Sequence, residues 1–452
     1  MSYLGDTIAA LATPVGTSAI AVVRASGPRT ADLVREIFGT LPPPRSAQHA
    51  DYRDLAGVLV DDVLFTYFAG PHSFTGEDTV EISSHGNPFI AQKILKDLLA
   101  RDCRSAEPGE FSKRAFLNGR MDLSQAEAVM DLIGARSDRA LTAANQQLRG
   151  ALGRHMAGLI SQLVELLAKI EAYIDFPEED LPKEDRQVMQ KQLEELLSGT
   201  RRLLATNHYG DLLREGIKTV ILGEPNAGKS SLLNRLVGRE RALVSPEPGT
   251  TRDYLEERVA IGQHWLRLID TAGLNAAPSP LEKRGIDKTL EQAAEGDLFL
   301  WVIDSTAVVP ALPVHLAAQL TPANTIVVLN KVDLPAAMQR RLPPEFLFPV
   351  VSVSALKGCG IEILQAAVIR LAEGFHVETG DELVAINARH AYTLEEAMRS
   401  LNEAGLKLST NQASELVASD LRAALHSFGQ ISGKIENEKI LDQLFASFCI
   451  GK

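Results

Sequence analysis

The run Gly223-Glu224-Pro225-Asn226-Ala227-Gly228-Lys229-Ser230 constrains this chain more than any other stretch. An apolar, β-branched run beginning at Thr219 leads into it, and a helix-forming run follows it. A G-x-x-x-x-G-K-S sequence between a strand and a helix is the pattern of a phosphate-binding loop, or P-loop. Because Gly223 and Gly228 lack a Cβ, the backbone N–H groups can approach a phosphate chain closely. The pattern therefore predicts a nucleotide-binding domain built on a doubly wound α/β sheet.

Individual positions of this loop have predicted roles. Lys229 begins the helix, whose positive dipole end faces the phosphates, and its side chain reaches the β- and γ-phosphates, while Ser230 holds Mg²⁺. Asn226 has two open interpretations, since its side-chain oxygen could hold a monovalent cation beside the phosphates or stabilise the loop. The nucleotide-binding residues predicted here are Gly223, Asn226, Ala227, Gly228, Lys229, Ser230 and Ser231.

Three later segments identify the nucleotide as GTP. One predicted strand leads to Asp270-Thr271-Ala272-Gly273, where the aspartate binds Mg²⁺ through water and the glycine N–H reaches the γ-phosphate. Another delivers Asn330-Lys331-Val332-Asp333, whose carboxylate can accept both N1–H and the 2-amino group of guanine, which adenine cannot match. A third delivers Ser354-Ala355-Leu356, a backbone contact to the guanine oxygen. Four motifs in this order resemble the translation-factor class of GTPases.

The switch segments depart from the Ras pattern. Thr251, in the polar run 245–253, is the predicted switch threonine that completes the Mg²⁺ shell. Leu274 stands where Ras-like enzymes place a water-orienting glutamine, and it has no polar group for that role. A cation held by Asn226 and the loop 245–250 would neutralise the developing charge as an arginine finger does.

The chain is too long for one ordinary core, since 452 residues correspond to about two to four domains. We predict an α+β domain over 1–118, a helical segment over 119–213, the nucleotide-binding domain over 214–376 and a second helical segment over 377–452. Helices on both sides of a complete α/β module indicate an insertion. The flanking helices would then pack as one discontinuous domain, with the two linkers close in space.

Periodicity and turn residues predict the elements within these segments. In 1–118 we expect strands at 8–13, 19–24, 56–60, 62–68 and 78–83, and helices at 31–38 and 86–100. Beyond it we expect helices at 158–174, 189–204, 382–387, 393–402, 412–428 and 439–448, and a cap at Ser124-Gln125-Ala126-Glu127. The segments 73–82 and 108–123 are dense in polar groups, and composition favours a solvated surface for both.

Charge and cysteine content restrict the class of protein. A net charge of -12 and a pI near 5.4 argue against a broadly basic nucleic-acid coat, but leave room for a local basic patch. The three cysteines, Cys103, Cys359 and Cys449, have neither metal spacing nor a disulfide framework, which suits a reducing cytoplasm. We read neither a signal peptide nor a bilayer-spanning run, so we expect a cytoplasmic protein without membrane contact.

Further motifs resemble one family along the whole chain, the tRNA-modification GTPases called MnmE or TrmE. The matching stretches are Asp6-Thr7-Ile8-Ala9-Ala10, Ala12-Thr13-Pro14, 73–81, 108–119, 122–128, 249–253 and the terminal Cys449-Ile450-Gly451-Lys452. The terminal C-x-G-K is the most specific of them. The resemblance implies an N-terminal folate-binding and dimerising domain, a helical domain of two chain segments, and a Ras-like G domain inserted in it.

The resemblance also implies an activity. Members of this family act with an FAD-dependent partner to install a (carboxymethyl)aminomethyl group at C5 of the wobble uridine of tRNA. Their GTPase is activated by potassium and by dimerisation of the G domains. A homodimer, a heterotetramer with the partner, and a bound 5-formyltetrahydrofolate or related reduced folate are implied as well.

Residue roles follow from matched positions. The folate contacts match Arg24, Glu81, Arg120 and Lys452. Arg120 replaces the more usual lysine, which keeps the charge but changes the geometry. The potassium ligands match Asn226, Ser245, Glu247 and Thr250, where Glu247 replaces an apolar residue and offers its backbone carbonyl. Glu282 matches the acid that orients the attacking water through a second water.

Cys449 carries three interpretations. The family places it near the folate as a nucleophile or acid in the chemistry. A cysteine four residues from the end is also the position of a prenylation box, which Gly451 and Lys452 fit badly. The third interpretation is a small buried residue.

Two other functions compete with a modification enzyme. A GTP-driven assembly switch, for example in ribosome assembly, would use the same G domain, but needs neither a folate pocket nor a terminal thiol. General RNA binding by a basic surface is disfavoured by the acidic charge.

Overall fold

The computed structural model describes residues 5–175, 183–224, 226–238, 256–270, 296–307, 319–335, 347–375, 384–433, 441, 444–446 and 448–451. Some predicted site residues lie outside these ranges: Ser245, Glu247, Thr250, Thr251, Thr271, Ala272, Gly273, Glu282 and Lys452. The chain divides into two compact units. The first comprises 1–130, 148–180 and 410–452, and the second comprises 131–147 and 181–409.

A mixed six-stranded sheet forms the centre of the first unit, with the order β3-β4-β5-β2-β1-β6. Its strands are β1 (Ile8–Leu11), β2 (Ile20–Ser26), β3 (Ala47–Arg53), β4 (Leu59–Phe68), β5 (Thr79–His85) and β6 (Arg104–Ser105). Helices α1 (Thr30–Phe38) and α2 (Pro88–Ala100) pack on one face, over a core that includes Phe65, Ile82 and Leu98. Alternation along β4 buries Val63, Phe65 and Tyr67, as the period of a half-buried strand requires.

The strand expected at 56–60 is wrong. The structure instead has β3 at Ala47–Arg53, with the sequence AQHADYR, and β4 begins at Leu59. Only Tyr52 of β3 is fully buried, since β3 is an edge strand whose Gln48 and Ala50 are half-buried and whose remaining residues are exposed. An edge strand of this kind carries no apolar alternation for a sequence pattern to detect.

The two segments predicted as solvated surface are largely buried, so that prediction is also wrong. Segment 108–123 contains the helix α3 (Glu110–Leu117), in which Phe111 is fully buried and Arg114 is 2% exposed. In segment 73–82, Thr75 and Thr79 are buried. Composition misled here because the polar groups of these segments pair with one another instead of with water.

Helices α4 (Leu123–Gly134), α5 (Asp138–Leu148) and α6 (Ala151–Asp175) follow. The N-cap of α4 is Asp122, two residues before the predicted cap at Ser124. Asp122 accepts the Gln125 N–H at 2.8 Å, and the Gln125 side chain accepts the Asp122 N–H at 2.9 Å, which is a capping box. The apolar stripe predicted on α6 is buried: Leu159, Leu163, Leu166, Leu167 and Ile170. In the first unit α6 packs against α12 (Ser414–Ser432), a helix from beyond the α/β module.

The second unit contains a six-stranded sheet with the order β12-β11-β10-β7-β9-β8. Its strands are β7 (Ile217–Leu222), β8 (Glu256–Ile261), β9 (His264–Asp270), β10 (Leu298–Asp304), β11 (Thr325–Asn330) and β12 (Val350–Ser352). All neighbours are parallel except β8, which is antiparallel to β9 at one edge. Helices α8 (Asn207–Glu215), α9 (Lys229–Gly238) and α10 (Ile361–Glu373) contribute to the same core. This confirms the α/β class predicted from the P-loop.

Two further helices belong to the second unit, α7 (Lys183–Ala205) and α11 (Ala388–Ser409), and they pack against each other. The chain entering the α/β module lies close to the chain leaving it, since the guanidinium of Arg214 donates to the carbonyl of Ile386 at 3.0 Å. Residues 384–387 are not helical, which corrects part of the helix expected at 382–387. Among the described residues, no helix has the length and apolar character needed to cross a bilayer.

Candidate functional site

The P-loop leaves β7 and enters α9 through two glycines with positive φ. Gly223 has φ +147 and Gly228 has φ +95. A Cβ at Gly223 would collide with the carbonyl of Val302, and one at Gly228 would collide with the side-chain amide of Asn330. The backbone thus passes through spaces that admit no side chain, which fits the close wrapping expected around phosphates.

Lys229 holds this loop closed. Its side chain is buried, and Nζ donates to the carbonyls of Gly223 and Glu224 at 2.7 and 2.8 Å. The ammonium group therefore sits inside the loop, where it can exchange carbonyl partners for phosphate oxygens. Ser230 follows in the first turn of α9, where a hydroxyl can meet a phosphate-bound Mg²⁺. Asn226 is exposed with φ +64, so its side chain is available at the rim of the loop.

Asn330, at the end of β11, joins the P-loop to the loop after β12. Its Nδ2 donates to the carbonyl of Ala227 at 2.8 Å, and its Oδ1 accepts the N–H of Ala355 at 3.0 Å. Asn330 is buried, so both hydrogen bonds lie away from water. Two of the four predicted motifs are thereby held in register by a third.

Asp333, the predicted reader of guanine, is oriented by the next loop. The hydroxyl of Ser354 donates to Asp333 Oδ1 at 2.7 Å and accepts the N–H of Lys357 at 3.1 Å. This hydrogen bond from Ser354 lowers the pKa of Asp333. An aspartate is ionised at neutral pH even at its ordinary pKa, and the carboxylate is the state that accepts two N–H groups of guanine.

Lys331 lies between these residues with φ +65. Its ammonium group meets Asp304 Oδ2 at 2.7 Å, at the end of β10. Burial raises the pKa of Asp304, but the hydrogen bonds from Lys331 and Thr306 outweigh it and lower that pKa overall. The ion pair holds the side chain of Lys331 against the end of β10.

Asp270 ends β9, and the register of this strand places it beside Ile221 of β7. The carboxyl ends of parallel strands share one edge of a sheet, so the residues that follow β7, β9 and β11 meet there. The structure therefore brings together the described parts of the predicted GTP site. Its switch residues, from Ser245 to Thr251 and from Thr271 to Glu282, lie outside the described ranges.

A second cluster lies on the sheet of the first unit and joins two predicted folate contacts. Arg24 of β2 pairs with Glu81 of β5, through Nε at 2.9 Å and Nη2 at 2.7 Å to the same carboxylate oxygen. The guanidinium carbon lies 5.7 Å from the ring centre of Phe74 and 5.5 Å from that of Phe111. A planar cation held between an acid and two rings is a surface on which a flat heteroaromatic ring could stack. Arg120 is exposed nearby, with its stem against the loop at Gly76.

The end of the chain reaches this cluster. Arg24 Nη1 donates to the carbonyl of Gly451 at 3.1 Å, and Ile450 forms an antiparallel bridge with Pro108. Cys449 is exposed, with its carbonyl accepting the N–H of Gly109 at 3.3 Å. The interpretation of Cys449 as a small buried residue is therefore wrong.

Sequence reasoning missed an ionic cluster in the same unit, in which Arg114 and Glu110 are buried and Arg104 and Asp6 are partly exposed. Arg114 pairs with Asp6 at 2.6 Å, Glu110 at 3.0 Å and Glu77 at 3.1 Å, and Arg104 bridges Asp6 and Glu110. Burial raises the pKa of Glu110, but hydrogen bonds from Arg104, the Glu107 N–H and Arg114 lower it overall. The residues are far apart in the chain, and only the spacing of Glu110 and Arg114 on one helix face signalled a pair.

Comparison with known proteins gives full-length similarities. Family models match residues 7–120, described as the GTP-binding protein TrmE N-terminus, and residues 123–449, described as the MnmE helical domain. A protein of Opitutus terrae named tRNA modification GTPase MnmE is 56% identical over 452 residues, covering 100% of both chains. Proteins of the same name from Akkermansia muciniphila and Aquifex aeolicus are 43% and 39% identical, covering 99% of this chain and 99% and 100% of theirs.

Proposed function

We propose a function for this chain from the premise that it belongs to the MnmE family of tRNA modification GTPases, which relatives of up to 56% identity over the full length establish. The chain is a GTP-hydrolysing enzyme of tRNA modification. One observation carries the GTP assignment: Asn330 joins the P-loop to the Ser354 loop, and Ser354 in turn orients Asp333. These contacts support a single site that combines a phosphate-binding loop with a guanine-reading carboxylate.

The proposal assigns the nucleotide and Mg²⁺ contacts as follows. GTP would lie with its phosphates on the loop from Gly223 to Ser231 and its base between Lys331, Asp333 and the loop 354–356. Mg²⁺ would be held by Ser230 and Thr251, with Asp270 acting through water. Bound Mg²⁺ supplies charge neutralisation on the phosphates. Lys229 is already directed into the loop and would exchange its carbonyl contacts for phosphate oxygens.

Potassium activation is part of the proposal. Asn226, with Ser245, Glu247 and Thr250, would hold K⁺ beside the phosphates, where its positive charge would neutralise the developing charge as an arginine finger does. Glu282 would orient the attacking water, a role that Leu274 cannot perform. What supports the cation is the exposed Asn226 at the rim of the P-loop. G-domain dimerisation would complete the site.

We also propose the folate site and the partners. A reduced folate such as 5-formyltetrahydrofolate would bind at Arg24, Glu81, Arg120 and Lys452, with Cys449 close to its one-carbon group as nucleophile or acid. The chain would act as a homodimer with an FAD-dependent partner to install a (carboxymethyl)aminomethyl group at C5 of the wobble uridine of tRNA. Two observations support a ligand site here. The guanidinium of Arg24 lies against two aromatic rings, and it also binds the carbonyl of Gly451.

The proposed domains are those of the sequence: 1–118 for folate and dimerisation, 119–213 and 377–452 for the helical domain, and 214–376 for the G domain. Helix pairs formed across the module, α6 with α12 and α7 with α11, support the insertion of the G domain between two helical segments.

The cation proposal is tested by GTP turnover in potassium and in sodium at matched ionic strength. We expect a large stimulation by potassium in the wild type and its loss in Asn226→Ala. Asn234→Ala, the same substitution at an exposed position of α9 beyond the loop, is the matched control. Equal rates in both salts would rule out the cation mechanism while leaving guanine binding intact.

Folate binding separates this enzyme from a pure assembly switch. Labelled 5-formyltetrahydrofolate should bind the wild type, and Arg24→Ala should abolish binding. Arg53→Ala is the control, because that side chain forms an exposed ion pair with Asp51 on the edge strand β3. Absence of folate binding to the wild type would favour the switch.

A further inference from the structure

Arg235 connects the P-loop helix to the loop that meets the guanine base. It lies in the last turn of α9, where an arginine often only complements the helix dipole. Here its guanidinium reaches another element instead. Nε donates to the carbonyl of Ala355 at 3.2 Å, and Nη2 donates to the carbonyl of Leu356 at 2.7 Å.

Two consecutive carbonyls held by one planar group fix two peptide planes. In a trans peptide the carbonyl and the following N–H point in opposite directions. When Arg235 holds the carbonyl of Ala355, the N–H of Leu356 must point away from α9. Likewise, the held carbonyl of Leu356 directs the N–H of Lys357 away, and that N–H meets the hydroxyl of Ser354 at 3.1 Å.

Gly358 lies directly against this guanidinium. Gly358 has φ +81, and a Cβ there would lie 3.2 Å from both the Arg235 guanidinium carbon and Nη2. A side chain at Gly358 would therefore push the guanidinium of Arg235 by a few tenths of an ångström. The side chain of Leu356, in contrast, is 79% exposed and contributes little packing of its own to hold the loop.

We propose that Arg235 is a positioning residue for guanine recognition: it sets the direction of the Leu356 N–H, and this N–H reads the O6 atom of the base. The inference rests on the proposed GTP site. Arg235 lies outside the four motifs, and in this proposal it orients the backbone N–H that contacts O6. Asp333 reads the N1–H and the 2-amino group of the same base independently.

The test compares two nucleotides in two proteins. The analogue 6-thio-GTP keeps N1–H and the 2-amino group, but sulfur replaces O6 and accepts hydrogen bonds weakly. Equilibrium dissociation constants for GTP and 6-thio-GTP are measured by displacement of a fluorescent guanine nucleotide from the full chain. In the wild type we expect GTP to bind about fivefold more tightly than 6-thio-GTP, the value of one neutral hydrogen bond.

In Arg235→Ala we expect GTP affinity to fall about fivefold while 6-thio-GTP affinity changes by less than about twofold, so their ratio approaches one. A loss shared equally by both nucleotides, with the ratio preserved, would assign Arg235 a structural role only and overturn the inference. Unchanged GTP affinity, or a wild type that does not distinguish the two nucleotides, would overturn it as well. A wild type that binds no GTP would instead defeat the proposed function.

Three further variants separate a positioning role of Arg235 from a general effect on folding. Gly358→Ala displaces the guanidinium from the loop side and should lower the same ratio even if Arg235→Ala does not fold. Arg235→Lys retains the positive charge but not the planar fork, and should recover only part of the ratio. Arg267→Ala is the control. Arg267 lies on β9 and pairs with the exposed Glu215 at 2.9 Å, so its loss should leave both dissociation constants unchanged.

Discussion

The side-chain amide of Asn330 occupies the space that a Cβ at Gly228 would need. That amide donates to the carbonyl of Ala227, the residue before the glycine. The hydrogen bond from Asn330 to Ala227 is therefore possible only because residue 228 has no side chain. The conformation of the P-loop therefore depends on Asn330 as well as on the sequence of the loop.

Gly228→Ala tests this dependence. The added methyl group would push Asn330 off Ala227 and force an alanine to φ +95, at a cost of about 1–3 kcal/mol for the backbone alone. We expect GTP affinity to fall at least about tenfold, measured by calorimetry. Gly238→Ala, in the last turn of the same helix with open space around it, should bind GTP normally.

Asp333→Asn should change which base is bound. The amide keeps one acceptor oxygen for N1–H but replaces the acceptor for the 2-amino group by a donor, which suits the 2-oxo group of xanthine. Losing a charged hydrogen bond should lower the affinity for GTP about 10- to 100-fold. The affinity of the variant for XTP should be higher than that of the wild type. Competition assays with both nucleotides measure this. Equal weakening of GTP and XTP would contradict the assigned role of Asp333.

Gly451→Ala should detach the chain terminus from the first unit. Gly451 has φ +93, and a Cβ there would collide with the backbone carbonyl of Leu11. We expect 5-formyltetrahydrofolate affinity to fall about tenfold through this strain, with GTP affinity unchanged. Gly158→Ala, where nothing lies within 4 Å, is the control. Unchanged folate affinity in Gly451→Ala would separate the terminus from the folate site.

Acid should destabilise α3 through Glu110. Its pKa in the folded protein lies below the ordinary 4.5, so its ion pairs stabilise the fold above that pH and are lost as pH falls through the lowered pKa. We expect hydrogen exchange of the peptide 110–117, corrected for intrinsic rates, to accelerate below pH 4.5.

Glu110→Gln should lose about 3 kcal/mol of local stability at pH 7, because a buried arginine is left short of a partner, and should show a flatter pH dependence. Glu36→Gln breaks an exposed pair with Arg29 at 3.5 Å and should cost below about 1 kcal/mol. Equal protection of the peptide 110–117 in Glu110→Gln and the wild type would contradict a stabilising role for the cluster.

The helices and the central strands were predictable because their patterns are local. The α6 stripe and the strands ending at Asp270 and Asn330 appear in the sequence as apolar periodicity, and the structure buries them as expected. The edge strand β3 and the buried helix α3 were not predictable. Their placement depends on partners distant in the chain, such as Asp6 for Arg114, which no local window contains.

The sequence by itself determined the nucleotide, the class of fold and the family, because each motif carries its chemistry in adjacent residues. Only the tertiary structure decided how those motifs work together. Asn330 meets Ala227 and Arg235 meets Leu356 across more than a hundred residues of chain. Arg24 meets Gly451 across more than four hundred. Such contacts follow from which strands share a sheet edge, and that arrangement is a property of the packed core.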